Sequence, residues 1–159
     1  MSKTKKEIYL VLQNIRSLFN IGSIFRSADA FSVSKIYLCG YSGYPIDRQI
    51  NKIAKTALGA EKTVSFEHYW QTANLVKKLK KQKIQIVALE LDKKAISLQK
   101  FKPKFPTAII VGNEKLGITP SILKLADQKV FIPMQGAKES LNVSIAASIA
   151  LYDFNLKGK

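Results

Sequence analysis

Three stretches of the chain hold side chains able to do chemistry together. The first is Asn14-Ile15-Arg16-Ser17-Leu18-Phe19-Asn20-Ile21-Gly22-Ser23-Ile24-Phe25-Arg26. Asn20 and Arg26 stand six positions apart. Helical neighbours are three or four apart, so these two do not touch and are better spaced to flank a third body. Arg16, Arg26 and Arg48 are the only arginines among 26 basic residues, and a position that keeps Arg in a Lys-rich chain invites planar, bidentate recognition of an anion. The second stretch, Gly112-Asn113-Glu114-Lys115-Leu116-Gly117-Ile118-Thr119, follows an apolar run and precedes a helix start. It falls short of a phosphate-cradling loop, which needs Lys after the second Gly where Ile118 stands, and Glu114 opposes a phosphate. A dinucleotide fingerprint fails for want of a G-x-G pair. The third stretch is Phe131-Ile132-Pro133-Met134-Gln135-Gly136, followed by Ser140-Leu141-Asn142-Val143-Ser144. It sets a hydroxyl, an amide and free backbone N–H groups at a helix N-terminus, an arrangement that can hold a ligand. Plainer readings stay open for each: Asn20 and Ser140 as N-caps, Asn142 as a first-turn residue, Arg26 as a solvated charge, and the glycines as turn formers. His68 and Cys39 are the only residues of their types, too few for a His/Cys metal centre.

The elements that must position these residues alternate between two periods. Glu7 to Leu12 is rich in β-formers and reads as a strand. Asn20 to Phe31 repeats apolar residues at helical spacing, through Ile21, Ile24, Phe25, Ala28 and Phe31. Lys35 to Cys39 is a second strand, and Gly40 to Gln49 is a loop. Trp70 to Gln82 is a helix with Leu75, Val76 and Leu79 on one side and lysines on the other. Ile84 to Leu91 and Thr107 to Val111 are almost continuously apolar, the mark of strands buried on both faces in a parallel sheet. Thr119-Pro120 opens a short helix. Lys129 to Met134 is a last strand, and Leu141 to Phe154 a closing helix, apolar nearly all round. Such a helix is deeply buried or packs on a second subunit, with Ile145, Ile149 and Tyr152 as candidate contacts. The alternation predicts an α/β three-layer domain.

At 159 residues the chain is expected to form one domain over 1–159, and 47% hydrophobic residues exclude a disordered chain. A single cysteine excludes a disulfide framework. No apolar run is long enough to span a membrane, and the basic Met1–Lys6 segment does not continue as a signal peptide, so a soluble, reducing, cytoplasmic setting is expected. The net charge is +15, a field that attracts polyanions. An anionic membrane surface is the lesser rival, and simple solubility the plain reading.

Taken together, the pattern N-x-x-x-x-x-N-x-G-x-x-x-R, then V-G-N-E-x-x-G, then I-P-M-x-G-x-x-x-S-L-N-V-S resembles the three motifs of the TrmH-like branch of SPOUT RNA methyltransferases. Their order matches, and the resemblance runs from Glu7 to about Asn155. Thr56-Ala57-Leu58-Gly59-Ala60-Glu61 looks like the segment that often links the first two motifs. The resemblance implies a mostly parallel sheet with a C-terminal trefoil knot, and S-adenosylmethionine as methyl donor without a metal. Leu89, Gly112, Asn113, Gly117, Ile132, Met134, Ser140 and Leu141 would be the cofactor-binding positions. Arg26, Asn20, Glu114, Ser140 and Asn142 would serve catalysis. A side chain placed at Gly112 should fill the ligand's space while the fold survives. The family works as homodimers, with first-motif residues of one subunit near the cofactor of the other. The implied reaction is methylation of a ribose 2′-oxygen of tRNA or rRNA. No appended RNA-recognition domain is expected. The alternative is a non-catalytic RNA-binding or assembly protein on the same knotted scaffold. Arg26 matches the proposed base of this family, yet a guanidinium is a poor base; gripping a phosphate and stabilising charge on the 2′-oxygen suits it better.

Overall fold

A parallel sheet of seven strands organises the protein, in the order β3-β2-β1-β6-β4-β7-β5. The computed structural model describes residues 6–158. Along the chain, β1 (Ile8–Gln13) leads through α1 (Leu18–Ala30) to β2 (Lys35–Cys39). Next come α2 (Gln49–Ala57), α3 (Ala60–Thr63), β3 (Phe66–Tyr69), α4 (Thr72–Lys81) and β4 (Gln85–Leu89). The chain closes with β5 (Ile96–Ser97), β6 (Thr107–Val111), α5 (Pro120–Leu125), β7 (Gln128–Phe131) and α6 (Val143–Lys157). Every strand pair is parallel, so all carboxyl ends emerge along one edge.

Side chains alternate across the sheet with period two and feed two cores. Leu10, Leu12, Ile109 and Val111 face α1, α2 and α6, where Ile21, Phe25, Ile53, Ala147 and Phe154 are buried. Val11, Ala108 and Ile110 face α4 and α5, where Leu75, Leu79 and Ile122 are buried. This is the expected three-layer arrangement. Phe25 and Phe154 are fully buried, each contributing about 1.5–3 kcal/mol by removal from water. Gly22 lets α1 and α2 meet: a Cβ there would lie 2.0 Å from Thr56 Oγ1 and 2.2 Å from the Ile53 carbonyl oxygen. The glycine of the first motif thus serves a helix crossing.

The structure moves several expected boundaries. The first strand runs to Gln13, whose side chain turns to Thr119. The first helix starts at Leu18 because Ser17, not Asn20, is its N-cap and accepts the Asn20 amide at 3.2 Å. Trp70 and Gln71 precede α4. The strand expected to Leu91 stops at Leu89, and the one expected to Met134 stops at Phe131, two residues before Pro133, which has no N–H for a ladder. The last helix opens at Val143 with Asn142 as N-cap, leaving Ser140 and Leu141 in the preceding loop. The segment from Gln49 to Tyr69, in which the sequence marks only Thr56–Glu61, as a link, holds α2, α3 and the edge strand β3.

Candidate active site

Register sets up the site. Leu12 pairs with Val111 across β1 and β6, Ala88 with Ile110 across β4 and β6, and Leu89 with Val130 across β4 and β7. The loops beginning at Asn14, Glu90, Gly112 and Ile132 therefore leave the sheet side by side. From β1 the chain moves to β2 on one side, and from β6 it moves to β7 on the other. Ligands of open α/β sheets bind outside the carboxyl ends at such a reversal.

The loop after β6 is held from all sides. Asn113 Oδ1 accepts the amides of Lys115 and Leu116, both at 2.9 Å, while its Nδ2 donates to the Asn14 carbonyl at 2.8 Å and to Tyr41 Oη at 3.0 Å. Glu90 accepts the Ile118 amide at 2.9 Å. Gln13 Oε1 accepts the Thr119 amide at 3.1 Å, and its Nε2 donates to Thr119 Oγ1 at 2.9 Å. The loop closes tightly on itself: a Cβ at Gly112 would lie 2.3 Å from the Gly117 carbonyl carbon and from the Ile118 nitrogen. Gly117 has φ +68°, and a Cβ there would lie 2.3 Å from Glu90 Oε2. This corrects the expectation that a side chain at Gly112 spares the fold: it would strike backbone before reaching any ligand.

Beside this loop is a cleft of about 200 Å³. Leu89, Gly112, Asn113, Gly117, Ile132, Met134, Ser140 and Leu141 all line it, together with Glu114. The structure thus brings together every position the resemblance implied for a cofactor, from loops more than forty residues apart in sequence. The donor set suits S-adenosylmethionine. Leu89, Ile132, Met134 and Leu141 form apolar walls. Among the described residues, the backbone N–H groups from Met134 to Leu141 donate to no protein acceptor, so they are available to a purine edge or a carboxylate. The side chain of Asn113 is occupied by its own loop, by Asn14 and by Tyr41, so it serves to fix the loop.

At the mouth of the cleft, Glu114 joins the first and third stretches. Its carboxylate accepts the backbone amides of Ser17 at 3.0 Å and Arg16 at 3.2 Å, and Asn20 Nδ2 at 3.3 Å. Asn20 Oδ1 in turn accepts Asn142 Nδ2 at 3.1 Å, while Asn142 Oδ1 caps α6 through the Ser144 amide at 2.9 Å. Partial burial pushes the Glu114 carboxyl up, but hydrogen bonds from Ser17, its own amide, Arg16 and Asn20 outweigh it and hold the pKa below the ordinary 4.5. An ionised, acceptor-saturated carboxylate fixes a loop; it is poorly suited to take a proton.

Arg26 lies elsewhere. Six residues at 1.5 Å each place it about 9 Å along α1 from Asn20. It is exposed and lines a separate groove of about 390 Å³ between α1, α2 and α6, with Lys55, Thr56, Ser144, Ile145 and Ser148. Ser27 Oγ and Ser148 Oγ meet at 2.6 Å, joining α1 to α6 there. Next to this groove α6 carries an exposed apolar stripe: Ile145 (51% exposed), Ile149, Tyr152 and Leu156. At 100° per residue these four point within a narrow sector, while Ala147, Ala150, Leu151 and Phe154 face the core. Of the five expected catalytic residues, then, Glu114 and Ser140 line the cleft, Asn20 and Asn142 join it through the hydrogen bonds that lead from Glu114, and Arg26 lines the other groove.

Sequence reasoning missed Gln13, Glu90 and Lys55. Glu90 closes an otherwise apolar run, and a carboxylate ending a buried strand was the available signal; Gln13 and Lys55 show none, because their partners lie 106 residues away or on another helix. The lone Cys39 is buried, and burial raises its thiol to about 12, so it is no nucleophile.

Comparison with known proteins agrees with this geometry. The model of the SpoU rRNA Methylase family matches residues 7–152. The tRNA (guanosine(18)-2'-O)-methyltransferase of Aquifex aeolicus is 33% identical over 153 residues, covering 96% of this chain and 71% of the relative. The enzyme of the same name from Escherichia coli K12 is 31% identical over 153 residues, covering 96% of this chain and 65% of that one. In structure, an AdoMet-bound rRNA methyltransferase from Sinorhizobium meliloti superposes with a TM-score of 0.85 at 26% identity, over 93% of this chain and 55% of that protein. The chain therefore spans between about half and seven-tenths of the length of these relatives.

Proposed function

The chain belongs to the SpoU rRNA methylase family, and on that premise we propose that it methylates a ribose 2′-oxygen of tRNA or rRNA with S-adenosylmethionine. The observation that carries this reading is the convergence of Leu89, Gly112, Gly117, Ile132, Met134, Ser140 and Leu141 on one cleft. Bound there, S-adenosylmethionine would supply an electrophilic methyl group. The chain's own residues do the rest. Apolar walls and the free amides of Met134 to Leu141 hold the donor, and Ser140 offers a hydroxyl at the cleft's rim. Glu114, Asn20 and Asn142 keep the starts of α1 and α6 at a fixed distance from the cleft. Arg26 grips the phosphate next to the target ribose and stabilises negative charge developing on the 2′-oxygen, its planar fork suiting both tasks; the 2′-hydroxyl proton passes to water as the oxygen takes the methyl, and the demethylated donor is the leaving group.

The working form in this reading is a homodimer joined through the stripe Ile145, Ile149, Tyr152 and Leu156. The groove of Arg26 shares Ile145 with that stripe, so a second copy seated on it brings its own cleft toward Arg26. The trefoil threading belongs to the same proposal, as the family resemblance implies. No described helix is long and apolar enough to cross a membrane, and the reading places the protein with RNA in the cytoplasm.

The test uses radiolabelled S-adenosylmethionine with tRNA and rRNA, followed by mapping of the modified nucleotide. Label on a ribose 2′-oxygen is expected. Label on a base removes the 2′-O assignment. Calorimetric binding of the donor and of RNA with no transfer to any RNA would leave the non-catalytic binding protein, and preference for ATP over the donor would overturn the cleft's assignment.

A further inference from the structure

At the far end of the same sheet edge lies a group of rings that the proposed chemistry does not use. Trp70, the residue after β3, is 74% exposed. Its ring rests edge-on against His68, with centroids 4.6 Å apart and planes at 79°. The other side of His68 stacks on Tyr44, with centroids 4.4 Å apart and planes at 27°. His68 Nε2 lies 2.9 Å from the Gly40 carbonyl oxygen; a carbonyl only accepts, so the proton sits on Nε2 and the ring is locked. The backbone beneath is paired as well, the Gly40 amide donating to the Tyr69 carbonyl at 2.9 Å. A large apolar ring thus rests on a hydrogen-bonded imidazole and is presented to solvent instead of being folded away.

The rings are tied to the candidate active site. Tyr44 belongs to the loop after β2, and in that loop Tyr41, 54% exposed, accepts Asn113 Nδ2 at 3.0 Å. The loop therefore runs from the rim of the cleft to the stack. Charge around it is mixed with a positive excess: exposed Arg48 and Asp47 lie on the same loop, Glu67 is exposed on β3, and α4, which starts two residues after Trp70, exposes Lys77, Lys78 and Lys81.

We infer that Trp70, buttressed by His68 and Tyr44, is a stacking platform for an unpaired base of the RNA substrate. An exposed π-face on a chain of net charge +15 is an arrangement that single-stranded nucleic acid recognises, because every base has a flat face and a neighbouring phosphate. An acidic or neutral protein segment would find one ring and no groove to lie in. The platform lies away from the cleft and from Arg26, so it would select RNA whose target ribose has an unpaired neighbour without touching the reacting atoms. This rests on the RNA reading above.

Trp70 is the only tryptophan in the chain, so its emission reports this site alone. The full-length protein would be titrated with a short single-stranded RNA, with a blunt RNA duplex of equal length and with tRNA. Affinity would be read independently from the anisotropy of labelled RNA. Saturable quenching by the single strand and by tRNA, and little by the duplex, is expected. Trp70→Ala should weaken single-strand and tRNA binding about 5- to 150-fold, Trp70→Phe should restore most of it, and donor affinity should stay unchanged in both. If labelled tRNA binds wild type and Trp70→Ala alike and emission does not move, the platform is wrong while the RNA reading stands. If neither the single strand nor tRNA binds the wild type at all, the RNA reading falls and takes the platform with it.

Discussion

The cleft at the carboxyl edge and the groove of Arg26 are built on opposite principles. Around the cleft, Gln13, Glu90, Asn113 and Glu114 satisfy the loop's amides from within one chain. Around the groove, Arg26 and Lys55 face solvent beside half-exposed Ile145. The cleft is internally satisfied; the groove is open. On the function proposed above, a donor site would have to exist before its ligand arrives and so be preorganised by the fold, whereas a substrate grip shared by two copies would have to stay open until both copies and the RNA are present.

That contrast can be broken most sharply at Arg26. Arg26→Ala should lower methyl transfer about 100- to 1,000-fold, as loss of one charge-stabilising donor does, while calorimetry shows donor affinity unchanged. Arg26→Lys should recover little, since the charge is kept and the fork lost. A wild-type rate in Arg26→Ala would end its catalytic role. Next in size is Ile149→Asp. An unpaired carboxylate in an apolar interface costs several kcal/mol, so light scattering should show wild type at twice the 17.8 kDa chain mass and the variant at that mass. Donor binding should survive in the variant and transfer should not. A monomeric wild type at micromolar concentration sinks the dimer.

On the internally satisfied side, Gly112→Val should be destabilising by about 1–3 kcal/mol, as overpacking against backbone is, and should lose donor binding with it. A urea midpoint equal to wild type would show that the loop gives more than its contacts imply. Asn142→Ala removes the α6 cap and the link to Asn20, costing about 1 kcal/mol. The smallest effect belongs to Glu114. Its pKa is lowered by folding, so its contribution is present above the ordinary 4.5 and lost as pH falls through the lower folded value. Urea midpoints of wild type and Glu114→Gln should differ at neutral pH and converge in acid; a gap that persists at low pH would refute the ionised role.

What the chain made legible follows the same division. Strand Thr107–Val111 was read to the residue because the four buried apolar positions after Thr107 have no other use. The cleft was legible because its motifs sit at the carboxyl ends of strands, where ligands of open α/β sheets bind. The α6 cap was misread: Ser140 and Asn142 are both good capping types, and only the Asn142–Asn20 contact, 122 residues apart, decides between them. The edge strand Phe66–Tyr69 escaped because Glu67 and His68 break its apolar pattern, as edge strands often do. The distance of Arg26 from the cleft was beyond any local pattern, since it depends on how α1 lies across the sheet.

The place of β1 in the sheet has a consequence for how the protein comes into being. This strand ends at Gln13 and lies between β2 and β6, yet its partner in β6 ends at Val111. During synthesis at about 5–20 residues per second, one side of β1 waits roughly 5–20 s for that partner. Through that interval Leu10, Val11 and Leu12, all fully buried in the finished molecule, lie along an unpaired edge of a nascent chain. Pairings so distant in sequence also slow folding. An open parallel edge kept waiting in this way is aggregation-exposed, so the yield of soluble protein should respond to translation speed across the first hundred codons.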